Sequence, residues 1–502
     1  MNLNASLTKA APLIKNSLYS FGSRVIPLFI GLVAIPILIE LLGVTRFGIL
    51  TLAWVFIGYS NIFDFGMSRA GVKFISNCIG ENKKSEIPQI FWTLIIVLFS
   101  MGGIIAIILY ISSSDLLSVI MESNGDLESE VLYVIRLVAL TLPVVLLISG
   151  LNAYLTAYQQ FKWISFIQVI NGSLNYLAPV FILLFFDGLV PVMITLLSIK
   201  ILILGLYIFT LWQYSIDKLS SPTFSFRHMN ELANYGGWVS VSNVLSPLID
   251  YIDRFYIAFI IGAGVVAFFT TPMDVLLKLG IIPVSIASVL FPGVSNLSRT
   301  DKDKAIRFTT SGVNLTLIIL FPVVVILILF AEEFLYLWVG SEFAEKSTLV
   351  AQILLIGIFL KSFTNYSVTY LHGIGKPRQT ALVHVGETLV YVLVLYYAVR
   401  EFELIGAAVI HTVRLSIDFC LMNLLVYRYG YKLKPNILKS TAAITLGVVL
   451  LISFIFIDDF IIKIIVSIIL IPVSMLMNWY SLVDEEVKKT LFSQIPAFFR
   501  SD

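Results

Sequence analysis

The chain has 502 residues, with 33 basic against 31 acidic side chains, a formal net charge of +2, and 58% hydrophobic residues. Only 13% are charged, about half of what a soluble domain carries, which excludes a soluble enzyme, a nucleic-acid binder and a disordered scaffold. The apolar stretches run unbroken for roughly 20 residues rather than alternating in runs of about ten, so a β-barrel is excluded as well.

What remains is an all-α integral membrane protein. A hydrocarbon core of about 30 Å needs about 20 helical residues, and runs of that kind predict 14 spans. In chain order they are 17–41, 45–65, 88–112, 131–158, 163–186, 189–213, 234–261, 264–296, 306–330, 345–372, 377–399, 403–428, 436–457 and 460–482. The polar, mildly basic segment from Met1 to Lys15 precedes a first apolar stretch read as a retained span, not a signal peptide. With the N-terminus inside, the inner loops carry 22 cations and the outer loops four: Arg46, Lys346, Arg400 and Lys463. That bias follows the positive-inside rule and puts both termini in the cytoplasm. Residues 223–235 and the tail after Ser481 mix apolar and charged positions in the manner of interfacial amphipathic helices. Cys78 and Cys420 suggest neither a disulfide framework nor a metal site.

Spans one to six and seven to twelve form two blocks of nearly equal length with matching connections. Each block opens with a pair joined by a minimal Gly-containing turn (Leu42-Gly43-Val44 and Ile261-Gly262-Ala263-Gly264). Two pseudo-symmetric six-helix lobes are expected: an N-lobe at 1–213, a linker at 214–233 and a C-lobe at 234–428. The last two spans and a cytoplasmic tail, 429–502, lie outside the repeat. Parallel repeats of this kind are a transporter signature, with substrate held between the halves near the midplane.

Several short patterns carry a resemblance. Leu42-Gly43-Val44-Thr45-Arg46-Phe47-Gly48 follows the first span, and Phe63-Asp64-Phe65-Gly66-Met67-Ser68-Arg69-Ala70 follows the second. Asp250-Tyr251-Ile252-Asp253-Arg254-Phe255 lies in the seventh span, and His372-Gly373-Ile374-Gly375-Lys376-Pro377 follows the tenth. With the 14-span organisation, the chain resembles polysaccharide flippases of the Wzx type. These belong to the multidrug/oligosaccharidyl-lipid/polysaccharide (MOP) exporter superfamily, with the lipid II flippases and MATE drug exporters. The resemblance implies two lobes opening alternately to each side of a bacterial inner membrane. It further implies an undecaprenyl-pyrophosphate-linked glycan as substrate, possible partnership with a glycan polymerase, and a monomer among membrane lipids.

A charge near the bilayer centre costs at least about 2.5–3.5 kcal/mol, so it faces a cavity or a partner. Asp250 with Arg254, Asp274 with Lys278, and Arg414 with Asp418 are each four apart and can pair along their own helices. Arg136 lies near the outer surface and is expected to snorkel. Arg24, Lys200 and Lys361 have no local acid; Lys200 and Arg414 stand at matching depths in spans six and twelve. The expected substrate-binding set is therefore Arg24, Lys200, Lys361, Arg414 and Lys278, cations suited to phosphate oxygens. Cross-helix pairing, for instance of Lys361 with Glu387, is the structural alternative.

A cationic cavity argues against a MATE-like pump for organic cations, the rival within the same fold. Outer loops without His argue against a glycan polymerase. No catalytic or metal-binding residues are expected, and no Gly-x-x-x-x-Gly-Lys-Ser/Thr motif or nucleotide domain occurs. Energy coupling falls to H⁺, Na⁺ or the membrane potential, with Glu387 and Asp250 as the candidate ion-coupling residues and His384 three positions from Glu387. Pro27, Pro36, Pro272, Pro283 and Pro292 mark spans one and eight as candidates for bending.

Overall fold

A computed structural model describes residues 25–58, 63–120, 127–214, 222–284, 286, 302–374, 376–429 and 435–482. Arg24 and the tail from 483 lie outside the described residues. Every regular element described is helical. Ten helices among the described residues are long and apolar enough to cross a membrane, and two shorter ones, Val44–Gly58 and Lys439–Phe454, are apolar. Much of the exposed surface is large and apolar, as on Phe181, Leu389, Leu393, Ile461 and Ile468. Only lipid tails cover such a surface without cost. This is a multi-pass helical membrane protein.

Packing divides the chain into two compact units, Met1–Ala267 and Phe268–Asp502. This is a division by contact, distinct from the sequence repeat: the helix of span seven packs on elements of the first unit.

In the first unit, α1 (Val25–Leu42) ends at Gly43, whose φ of 75° turns the chain at once into α2 (Val44–Gly58). Gly48 lets α2 lie against the start of α10, because a Cβ there would stand 2.5 Å from the Ala263 carbonyl oxygen. The turn into α3 (Met67–Gly80) uses Phe65 and Gly66, both with positive φ. Asp64 holds it, accepting the Gly66 N–H at 2.7 Å and the Ser149 hydroxyl at 3.3 Å. A 3-10 turn, Lys84–Glu86, leads into α4 (Ile87–Ile111), with Pro88 in its first turn, where a missing N–H costs nothing.

The outer connection 113–130, expected to be a loop, contains a short helix α5 (Ser113–Ile120). Beyond it α6 (Glu128–Ala157) begins with Glu128 and Glu130, acids that suit a helix N-terminus. Arg136 donates to Ser113 Oγ at 3.3 Å and lies over the Tyr110 ring. Gly102 on α4 permits a close crossing with α6, where a Cβ would approach the Pro143 backbone to 2.7 Å. The first unit is completed by α7 (Phe161–Leu183), α8 (Leu189–Tyr214) and α9 (Phe226–Ile260), with the start of α10 (Ala263–Leu276).

Residues 226–235 are not a separate interfacial helix; they are the first turns of α9. Ser225 caps α9, accepting from the His228 N–H, and its own N–H donates to Thr93 Oγ1 at 3.1 Å. Ahead of the apolar stretch of α9, Glu231 accepts from Arg227 and His228. Burial pushes its carboxyl upward, but these two partners outweigh that and hold it below the usual carboxylate range.

The second unit begins within α10. Its α-helical geometry stops at Leu276, tightens into a 3-10 turn, Leu277–Gly280, and resumes to residue 284. Next come α11 (Lys302–Leu329), α12 (Ala331–Val339) and α13 (Ser341–Gly373). The connection 331–346, expected to be an outer loop, thus also holds a short helix, one with Glu332 and Glu333 in its first turn. Glu333 pairs at 2.7 Å with Lys463, which is only 4% exposed although its position suggests an outer loop. Spans eleven and twelve are the two arms of one long element, α14 (Pro377–Tyr429), bent at Glu403 with φ 50° and ψ −133°. Gly406 makes the bend possible, since a Cβ there would collide with the Ala398 carbonyl oxygen. The described residues end with α15 (Pro435–Phe454) and α16 (Phe460–Leu482), separated at 455–459 around the Asp458-Asp459 pair.

Candidate functional site

In the first unit, α7 and α8 pack side by side, and Lys200 of α8 is buried between them at 6% exposure. Its ammonium donates to Asn171 Oδ1 at 2.8 Å and Asn175 Oδ1 at 3.2 Å, both on α7. The two asparagines are four apart and share a helix face, so α7 offers a pair of neutral carbonyls where an acid would be expected. The two amides orient the ammonium and bring no countercharge to it. Arg254, on α9 of the same unit, is 2% exposed and lies 4.6 Å from the centre of the Tyr251 ring, beside the buried Asp253. The Asp250 side chain lies outside the described residues.

The second unit gathers more of the expected residues. The two arms of α14 run back from the bend at Glu403, so residues equally far from it stand at equal depth. Glu387 is 16 positions before the bend and Asp418 is 15 after it. Both are buried, at 9% and 6% exposure. His384 Nδ1 lies between them, 3.9 Å from Glu387 Oε2 and 3.6 Å from Asp418 Oδ1. Among the described residues, neither Glu387 oxygen nor Asp418 Oδ1 has a hydrogen-bond partner. Arg414 is 8% exposed, sits one turn from Asp418 on the same arm, and stacks 5.1 Å from the Tyr391 ring. Tyr391 in turn meets His411 Nδ1 at 3.3 Å. Lys361, from the neighbouring α13, and Arg414 are both within coulombic reach of Asp418.

Arg414, Lys361 and Glu387 thus share one neighbourhood. Lys200 belongs to the other unit, and Lys278 is exposed on the 3-10 turn after α10. His384, Asp418, Tyr391 and His411 join the cluster without having been singled out as site residues. The signal was present: 387 with 418, and 391 with 414, are mirror positions about the break between spans eleven and twelve.

The cluster's chemistry can be judged by its charges. The ligand atoms of His384, Glu387 and Asp418 fall within 4.8 Å of one another, a spread that a metal ion can bridge. Arg414 and Lys361, however, already lie within coulombic range of Asp418, so a divalent ion would add to a field that holds two cations. Nearer the end of the same helices, Tyr366, Ser367, Asn423 and Thr441 border a cavity of about 50 Å³, room for water but not for a sugar ring.

Comparison with known proteins follows the same line. The family model described as polysaccharide biosynthesis protein matches residues 37–348. A Shigella flexneri protein named "Putative O-antigen transporter" is 28% identical over 418 residues, 83% of this chain and 98% of that protein. Among solved structures, the lipid II flippase MurJ in an inward closed conformation matches with a TM-score of 0.73 at 16% identity, covering 93% of this chain and 99% of that one. An inward-facing multidrug resistance MATE family transporter of the MOP superfamily matches with a TM-score of 0.66 at 17% identity, covering 82% and 98%. At these identities the structures establish the fold alone.

Proposed function

Because the chain belongs to the polysaccharide biosynthesis protein family, we propose that it is a transporter, not an enzyme, that carries a lipid-linked oligosaccharide across the bacterial inner membrane. The observation that carries this reading is the near full-length match to a relative named as an O-antigen transporter. The MOP fold supports it, since another protein of that fold is named a lipid II flippase. The proposed substrate is an undecaprenyl-pyrophosphate-linked repeat unit, moved from the cytoplasmic to the outer leaflet by alternating access. Fourteen crossings, with both termini cytoplasmic, set the orientation, and the repeat blocks at 1–213 and 234–428 act as the two lobes.

The pyrophosphate brings at least two negative charges to a membrane interior. Cations on rigid helices suit it because they are fixed before the anion arrives. Lys200, between two neutral carbonyls, and Arg414 with Lys361 are the proposed headgroup contacts; Arg24 and Lys278 complete the set. Glu387 and Asp250 are the proposed coupling positions for H⁺ or Na⁺. No nucleotide enters the cycle: membrane potential, an ion gradient or consumption of product by a polymerase supplies the drive.

Deletion of the gene in its host tests the reading. The expected result is loss of surface polysaccharide with accumulation of undecaprenyl-pyrophosphate bearing a completed repeat unit. Short outer-face chains without that accumulation indicate a polymerase, and new sensitivity to cationic dyes without it indicates a drug exporter; either result overturns the proposal.

A further inference from the structure

The cations of the second unit are not waiting open for an anion. Arg414 stands one helical turn from Asp418, and Lys361, on α13, lies within coulombic range of the same carboxylate. Glu387 and Asp418 face one another across the two arms of α14 with His384 between them. α13 is packed closely against α14. The groups gathered here are Lys361 and His372 from α13, with His384, Glu387, Tyr391, His411, Arg414 and Asp418 from α14 itself. Two formal positive and two formal negative charges cancel. Both Glu387 oxygens and Asp418 Oδ1 are buried, and His384 Nδ1 faces them at 3.9 and 3.6 Å, longer than a short hydrogen bond, so charge is their main contribution here. A carboxylate kept merely for structure would be expected to accept several hydrogen bonds.

We propose that Glu387 and Asp418 are an internal competitor for the anionic headgroup, occupying the field of Arg414 and Lys361 and yielding it when a pyrophosphate enters. The inference rests on the reading of Arg414 and Lys361 as headgroup contacts. Binding is then an exchange of ion pairs instead of the capture of an anion by bare cations. The exchange keeps affinity moderate and gives the product a route out, because the carboxylates re-engage the cations as the headgroup leaves. A site with two uncompensated cations in low dielectric would bind the anion and hold it. Transport needs release as much as capture. His384, within 4 Å of both carboxylates, acts as a positioning residue that keeps the pair aimed into the network.

The first unit offers a contrast that sharpens the assignment. Lys200 meets two asparagine carbonyls, which orient an ammonium without cancelling it.

The test uses the full-length protein in lipid nanodiscs with inorganic pyrophosphate as probe, and the same variants in a deletion host for transport. Glu387→Gln with Asp418→Asn preserves shape while removing both charges. The proposal predicts that this variant binds pyrophosphate at least about tenfold more tightly, a shift that 1.4 kcal/mol produces. It also predicts a larger ligand-induced rise in Tm than in the parent, together with less surface polysaccharide. Arg414→Gln with Lys361→Gln should weaken binding about tenfold or more. Should the double amide variant fold poorly, Glu387→Gln alone gives the same sign at smaller size. Unchanged or weaker pyrophosphate binding by folded amide variants overturns the inference, as does absence of binding by the parent. In either case, surface polysaccharide restored by the parent gene still upholds the transport function, so the two failures are told apart.

Discussion

Lys200 Nζ donates to Asn171 Oδ1 at 2.8 Å across the contact of α7 and α8, with Asn175 as second acceptor at 3.2 Å. The ammonium is 6% exposed, so these carbonyls replace much of its hydration. Removing them leaves a buried charge poorly solvated, whereas removing the lysine leaves two neutral amides. The first loss is the larger, because an uncompensated buried charge costs about 3–5 kcal/mol and an unsatisfied neutral group about 1–3. Asn171→Leu with Asn175→Leu is therefore expected to lower the unfolding midpoint in nanodiscs more than Lys200→Met does. The reverse order would mean that the amides do not hold the ammonium. In the transport assay Lys200→Gln should abolish surface glycan at unchanged protein level.

Glu130 ties three helices of the first unit at one end. It accepts from Arg46 Nε at 2.9 Å and from the Leu189 backbone N–H, bringing together the starts of α2, α6 and α8. Arg46 is 40% exposed, so its part is worth at most about 1 kcal/mol; the backbone bond to a charged acceptor adds about 1.5. Glu130→Ala should cost about 2 kcal/mol and Arg46→Ala less than half of that. Gly188→Ala tests the same node from the other side. Gly188 has φ 93°, and a Cβ there would stand 2.7 Å from Glu130 Oε1; a loss of about 2 kcal/mol is expected, read by thermal unfolding.

Asp64 has a different task. Its carboxylate accepts the Gly66 N–H at 2.7 Å, and Ser149 links it to Ser68 through a 2.7 Å hydroxyl pair. This Asx-type turn fixes the two consecutive positive-φ residues that aim α3. Asp64→Asn keeps an acceptor and should cost under about 1 kcal/mol, while Asp64→Ala should cost about 2. Equal effects in a chemical or thermal unfolding series would rule out the turn-holding role.

The bend at Glu403 sets the register of the Glu387–Asp418 pair. A glutamate with φ 50° and ψ −133° sits in a region that costs about 1–3 kcal/mol for a side-chain-bearing residue. Glu403→Gly relieves this and returns part of the gain as unfolded-state entropy, so a net rise of about 1 kcal/mol is expected. Gly406→Ala should do the opposite, because the new Cβ meets the Ala398 carbonyl.

Much of this architecture is written in local sequence. The turn at Gly43, the break at Asp458-Asp459 and the all-helical membrane class follow from hydropathy and glycine placement. The short helices α5 and α12 did not show, because eight or nine residues among acids and apolar side chains read equally well as loop. Lys463 reads as a loop cation since its partner, Glu333, is 130 positions away. The same limit governs the site. Charge and depth single out Lys200, Lys361, Arg414 and Glu387 one at a time, but neither the asparagine pair under Lys200 nor the meeting of Glu387 with Asp418 is local. Those contacts depend on which face of one helix meets the next, and a pattern that is apolar all round does not record that.

The central claim is transport of a lipid-linked glycan, and reconstitution tests it most directly. The purified protein is placed in vesicles whose undecaprenyl-pyrophosphate oligosaccharide starts on one leaflet only, and arrival on the other leaflet is followed with a membrane-impermeant lectin. The account predicts protein-dependent arrival that slows sharply with Lys200→Gln or with Arg414→Gln. Arrival no faster than in protein-free vesicles, with correctly folded protein and the host's own lipid-linked repeat unit, would contradict it.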